Sequence, residues 1–125
     1  MPEYLLFFNQ QWVPDHPAEW FEPKGPAARA VVEEMKEAGV YVFAGGLEEP
    51  DEGAVIYHAD PLSGETLVMD GPFAETKEYL GGFALVSVPD DETAKMWAAR
   101  IAEACGWPHE VRRFKGPGLN APPEA

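Results

Sequence analysis

Apolar positions along the chain recur with two periods. Between Ala27 and Ala38, the residues Ala28, Val31, Val32 and Met35 stand at i, i+3, i+4 and i+7, one helical face. Glu33, Glu34, Lys36 and Glu37 fall largely on the other faces, and Gly39 supplies a left-handed stop. A second stripe, Ala94, Trp97, Ala98, Ile101 and Cys105, runs from a cap at Asp90 or Asp91 to a stop at Gly106. The remaining apolar runs are short, β-branched and aromatic, which predicts strands at Glu3–Asn9, Val40–Ala44, Phe83–Val88 and Trp107–Phe114. Glu3–Asn9 is apolar on both faces and so central in a sheet. Ala54–Ala59 and Glu65–Met69 form a hairpin around Asp60-Pro61-Leu62-Ser63-Gly64, after an acidic turn from Glu48 to Gly53.

The order is strand, helix, strand, hairpin, strand, helix, strand. Two helices with one apolar face each lie on the same side of one antiparallel sheet, giving a ferredoxin-like α+β sandwich with an added hairpin. Tyr41–Phe43 and Phe83–Val88 carry apolar residues at consecutive positions, so both sheet faces need cover. A single helical layer covers one, and a second copy of the chain would cover the other, which predicts a homodimer with its two sheets paired face to face. Residues 1–114 make one domain, and Lys115–Ala125 is a Gly/Pro/Ala-rich tail without a core of its own. The connection from Gln10 to Pro26 holds Trp20 and Phe21, aromatics placed to cover a core or the mouth of a cavity. Within it, Asp15 is placed to cap a short helical turn through Pro17-Ala18-Glu19.

Charge and cysteine content narrow the function classes. With 22 acidic and 9 basic residues the formal charge is −13, the opposite of what phosphate backbones or anionic membrane surfaces attract. No nucleic-acid or membrane partner is expected. The one cysteine, Cys105, excludes an internal disulfide and a cysteine-based zinc site, and it reads as core. His16, His58 and His109 have no metal-ligand spacing, so neither a metal nor a cofactor is expected. The Tyr4–Phe8 run is too short for a signal core, and no stretch approaches the ~20 apolar residues of a membrane span, so a cytoplasmic location is expected.

Chemistry concentrates in Asp70-Gly71-Pro72-Phe73-Ala74-Glu75-Thr76-Lys77-Glu78, ahead of Leu80-Gly81-Gly82-Phe83. Gly71-Pro72 forces a turn, yet the connection is longer than a hairpin needs. Asp70 either bonds backbone N–H groups or serves as a general base. Glu75 and Lys77, two positions apart, form a solvated ion pair or a site in which Glu75 moves a proton and Lys77 holds a carboxylate or polarises a carbonyl. Asp70, Glu75 and Lys77 are the candidate catalytic groups; Phe73, Lys77, Arg112 and His16 are the candidate ligand contacts. A dyad of His58 with Asp70 is disfavoured, because a turn centred on Leu62 pairs residues whose numbers sum to about 124 and leaves the two about 13 Å apart along the strands.

The same nine residues, followed by Leu80-Gly81-Gly82-Phe83, resemble the signature of the DGPF branch of the YCII-related proteins. Ala44-Gly45-Gly46-Leu47, the tryptophan-bearing helix from Asp91 and Glu110-Val111-Arg112 add to the resemblance, which spans Tyr4 to Arg113. It implies a dimeric α+β barrel of ferredoxin-like subunits. It also implies an activity mostly unestablished, with members standing alone or beside sigma-factor-like regulators, and some wider relatives acting as lyases or isomerases on small ring compounds. A histidine proposed as catalytic on the first helix of those relatives corresponds here to Ala28, so its chemistry does not carry over. The expected function is a homodimer binding a small anionic organic molecule, with proton-transfer chemistry of the lyase or isomerase kind. The alternative is a non-catalytic ligand-sensing or protein-interaction module working with a transcriptional regulator.

Overall fold

The computed structural model describes residues 1–49, 55–70 and 78–116, with 55–58 and 67–70 described by backbone alone. Strand β1 (Glu3–Asn9) leads through a 3-10 turn (Gln10–Trp12) to the short helix α1 (Ala18–Phe21) and then to α2 (Lys24–Glu37). Strand β2 (Tyr41–Gly46), the hairpin β3 (Val55–Ala59) and β4 (Thr66–Asp70), β5 (Leu80–Ser87), α3 (Asp91–Cys105) and β6 (Glu110–Arg113) follow. The main sheet has the order β2-β5-β1-β6 and every pairing in it is antiparallel. With α2 and α3 as crossovers, this is the ferredoxin-like α+β arrangement. The hairpin stands as a separate two-stranded sheet.

Both helices follow their stripes, with one difference of extent each. Helix α2 begins at Lys24, three residues before the expected start at Ala27. Pro26 does not interrupt it, because the first four N–H groups of a helix have no partner within it and a proline there loses nothing. Its stripe divides: Val31 and Met35 are buried in the core, whereas Ala28 and Val32 are only partly buried. Helix α3 is capped by Asp90, whose carboxylate accepts from the Thr93 hydroxyl at 2.7 Å and from Thr93 N–H at 2.8 Å and so lies below its usual pKa, and it stops at Gly106 with φ +91°. A Cβ on Gly106 would also come within 2.9 Å of the Trp20 ring, so both backbone angle and space require glycine. The expected cap of the short α1 turn, Asp15, does not act as one; Pro17 holds that position without a side-chain bond.

The core joins one face of the sheet to the two helices. Tyr4 and Leu6 of β1 and Ala84 and Val86 of β5 meet Val31, Met35, Ala94, Trp97, Ala98 and Ile101. Leu6, Met35, Val86 and Val88 are the largest side chains with essentially no exposure, each contributing about 1.5–3 kcal/mol through burial. Tyr4 also donates its phenol O–H to Asp91 Oδ1 at 2.5 Å, pinning the start of α3 to β1.

Two registers differ from expectation. In the hairpin Val55 faces Asp70, His58 faces Leu67 and Ala59 faces Thr66, so the paired numbers sum to 125 rather than 124. The reason is a closed loop in which Asp60 N–H donates to Glu65 O at 2.6 Å, Gly64 adopts φ +75°, and Asp60 Oδ1 accepts from Leu62 N–H at 2.9 Å. His58 and Asp70 still stand three positions apart along the ladder. The last strand spans Glu110–Arg113 instead of Trp107–Phe114; Pro108 has no N–H to give a ladder, and His109 bonds back to Trp107 instead.

Candidate functional site

A cavity of about 510 Å³ opens on the helix-covered side of the sheet. Its walls come from Phe8 of β1, Ala44 to Gly46 of β2, the first two turns of α2, the last turn of α3, and Trp107 and His109 beyond it. The space exists because small residues stand where large ones would fill it. Ala28 and Val32 present short side chains from α2, and β2 borders the space with Ala44 and with the bare backbone of Gly45 and Gly46. Gly81 and Gly82 contribute differently. The Phe8 ring lies over them, so that a Cβ on Gly81 would approach Phe8 Cε2 to 2.5 Å and one on Gly82 would approach Phe8 Cε1 to 3.0 Å. The Gly-Gly pair before Phe83 thus seats the aromatic wall of the cavity. Opposite the pair, β1 is irregular between Phe8 and Asn9.

The walls are aromatic and aliphatic, and the charged groups among the described lining residues are cations. Lys24 and Arg29 border the cavity from α2, whose N-terminal turn adds the positive end of its dipole. Lys24 Nζ stands 4.3 Å from the Trp20 ring centroid. That contact leaves the ammonium without a carboxylate partner among the described residues. Cys105 lines the cavity too, but burial pushes its thiol above the ordinary range, with the Lys24 charge opposing, so it is a poor nucleophile. His109 packs against Phe8 with ring centroids 5.1 Å apart, and its Nδ1 lies 3.1 Å from the Trp107 carbonyl oxygen. Loss of water holds the imidazole below its ordinary pKa, against the pull of the Trp107 and Pro108 backbone.

The residues singled out from the sequence are placed apart from this constellation. His16 is exposed and rests on Trp20, with ring centroids 4.5 Å apart; it is not among the lining residues. Arg112 is opposite Leu5 on the other face of the sheet. Phe73, Glu75 and Lys77 lie outside the described residues, and Asp70 is described only as the last backbone position of β4. The chain rejoins the main sheet at Leu80, opposite Asn9, and Gly82 sits beside Phe8 and Gly46 at the cavity end of the sheet. Tyr79 is anchored there by Gln10 N–H donating to its carbonyl at 2.8 Å. Lys24, Arg29 and His109 were missed. In the sequence Lys24 falls in the connection ahead of the expected helix start, Arg29 among the residues of that helix and His109 among the polar positions of the expected last strand, places that solvent-facing residues share.

Among the described residues no helix is long and apolar enough to cross a membrane. Over 75 residues the chain is 39% identical to an uncharacterized protein, R00369, of Rhizobium meliloti (strain 1021), covering 60% of this chain and 58% of that protein. The chain therefore spans little more than half the length of that relative. A family model described as the YCII-related domain matches residues 12–111, a stretch that includes α2, most of the sheet and nearly every wall of the cavity. The small residues that open this cavity and the glycines that seat Phe8 lie within the matched stretch, and the chain belongs to the YCII-related domain family.

Proposed function

We propose that the protein is a homodimer that binds a small organic anion in the cavity between α2 and the sheet. The observation that carries this reading is the composition of the walls: a flat apolar interior bordered by Lys24 and Arg29, with no carboxylate among the described lining residues. An anion meets two opposite charges there at little desolvation cost, since both remain partly open to water. Its body meets Phe8, Phe21 and Trp107, which favours a planar or ring-shaped molecule. Asp70, Glu75 and Lys77 remain the proposed proton-handling groups and Phe73 a proposed contact, on a stretch that rejoins the sheet beside Phe8. Chemistry there is of the lyase or isomerase kind and uses no cofactor. The dimer forms through the open sheet face, where the Phe43 and Phe83 rings lie tilted at 43° with centroids 6.0 Å apart and Phe43 is 56% exposed.

One observation favours a second reading. Ala28 lines the cavity, and by the family resemblance it corresponds to the histidine proposed as catalytic in wider relatives. A cavity with cations and without that histidine suits a ligand sensor that works with a transcriptional regulator. A thermal-shift screen of small carboxylates and aromatic acids tests both readings. Stabilisation of the wild type, lost in Arg29→Ala and Lys24→Ala, supports ligand binding; stabilisation by none of the compounds would sink it. Turnover of a bound compound separates the enzyme from the sensor, and its loss in Lys77→Ala assigns that lysine.

A further inference from the structure

We infer that His109 Nε2 is the strong hydrogen-bond acceptor among the described lining side chains of the cavity and selects anions that also carry a hydroxyl group. This rests on the reading that the cavity binds an organic anion. The Trp107 carbonyl, 3.1 Å from His109 Nδ1, has no proton to give, so the contact is a hydrogen bond only when Nδ1 carries the proton. In a neutral imidazole the lone pair is then on Nε2. Burial favours that neutral form. No described group bonds Nε2, and the ring is part of the cavity wall, held against Phe8.

The other polar side chains of the wall cannot do this work. Lys24 and Arg29 donate and never accept, and the Cys105 sulfur accepts only weakly. The tryptophan N–H is a donor as well. Among the described lining side chains, Nε2 is therefore the one strong acceptor. Two cations fix the anionic end of a ligand, and a single acceptor then distinguishes a molecule with a hydroxyl from one without. The matched hydroxyl gains one net hydrogen bond, worth about three- to tenfold in affinity.

The test is calorimetric titration at pH 7.5 with benzoate and its ortho, meta and para hydroxylated forms, in the wild type and in His109→Phe. The expected result is at least one hydroxybenzoate binding about three- to tenfold tighter than benzoate, with that ratio falling to about one in the variant. Because a ratio is read, a uniform weakening from altered packing cancels. Binding of benzoate with no hydroxylated preference, or a preference that survives in His109→Phe, overturns the inference and leaves the cavity reading intact. Binding of none of the four compounds overturns both. Long-range proton–nitrogen NMR of the unliganded wild type gives an independent arm that needs no variant to fold. A protonated Nδ1 is expected, and a proton on Nε2 would refute the acceptor role whatever the ligands do.

Discussion

Leu5 and Leu6 are neighbours in the chain and live in different environments. Leu6 points into the helix-covered face, fully buried in the core with Met35 and Val86. Leu5 points to the open face and is half-buried, between Leu85 and Arg112 of the neighbouring strands. The same alternation of a β-strand feeds both faces, and the backbone makes no distinction between them. What differs is the cover. One face is closed by helices of its own chain, and the other is uncovered among the described residues, the surface on which the proposed dimer would form.

The largest effect expected from this contrast is at Leu6. Leu6→Ala should cost about 2–5 kcal/mol of unfolding free energy, because the cavity it leaves is walled by the sheet and both helices. Leu5→Ala in dilute protein should cost well under half as much, and its cost should grow with protein concentration as the open face becomes covered. Denaturant titrations at two protein concentrations measure both. Equal costs at every concentration would mean that the open face gains no cover from a second copy.

Next in size is the assembly itself. Phe43→Glu places a charge on the open face, on its edge strand β2, and should weaken dimerisation by about 2 kcal/mol or more while leaving protomer stability nearly unchanged. Sedimentation equilibrium reads it directly. A wild type that stays monomeric at high micromolar concentration removes the dimer from the account.

A smaller contrast sharpens the difference between glycines. Gly81 is pressed by the Phe8 ring, whereas a Cβ on Gly45 would find only the edge of Phe43 at 3.6 Å, an ordinary contact. Gly81→Ala should therefore cost about 1–3 kcal/mol by displacing Phe8, and Gly45→Ala should fall within about 0.5 kcal/mol of wild type. Similar losses at both positions would show that Phe8 is free to move, and the cavity wall with it.

These contrasts also mark what the sequence could convey. The two helical stripes, the stop at Gly39 and Gly106, and the strand order were legible because each depends on local period or on a single backbone preference. Pro26 misled, since its penalty depends on where the helix starts, and that start is set by tertiary packing. The hairpin register slipped by one because a side-chain bond from Asp60 decides the loop closure. The cavity was the least legible part. Its walls are drawn from positions spread from Phe8 to His109, and its cations look from the sequence like an ordinary loop lysine and a solvated arginine of an amphipathic helix. The charged stretch around Gly71-Pro72 is conspicuous in the sequence, yet a cavity is defined by what surrounds a space, and no linear pattern lists that.

The smallest expected effect concerns pH and separates the two faces once more. His109 has a folded-state pKa below its unfolded value, chiefly because the cavity side of the sheet keeps water away. The folded protein therefore binds fewer protons than the unfolded chain as pH falls through the usual imidazole range near about 6.5. Stability must rise with pH across the interval between the two values and level off above the upper one. Wild-type protein should accordingly lose stability between about pH 7 and pH 5, and His109→Phe should lose less over the same interval. Asp60 and Asp90 shift in the opposite direction, held below the ordinary carboxylate range by backbone and hydroxyl donors, so their contributions disappear only at more acidic pH. Unfolding curves taken in half-unit pH steps resolve the two regimes. Identical slopes for wild type and variant above pH 5 would show that His109 sees as much water folded as unfolded, and that the helix-covered side is no drier at this end than the open face.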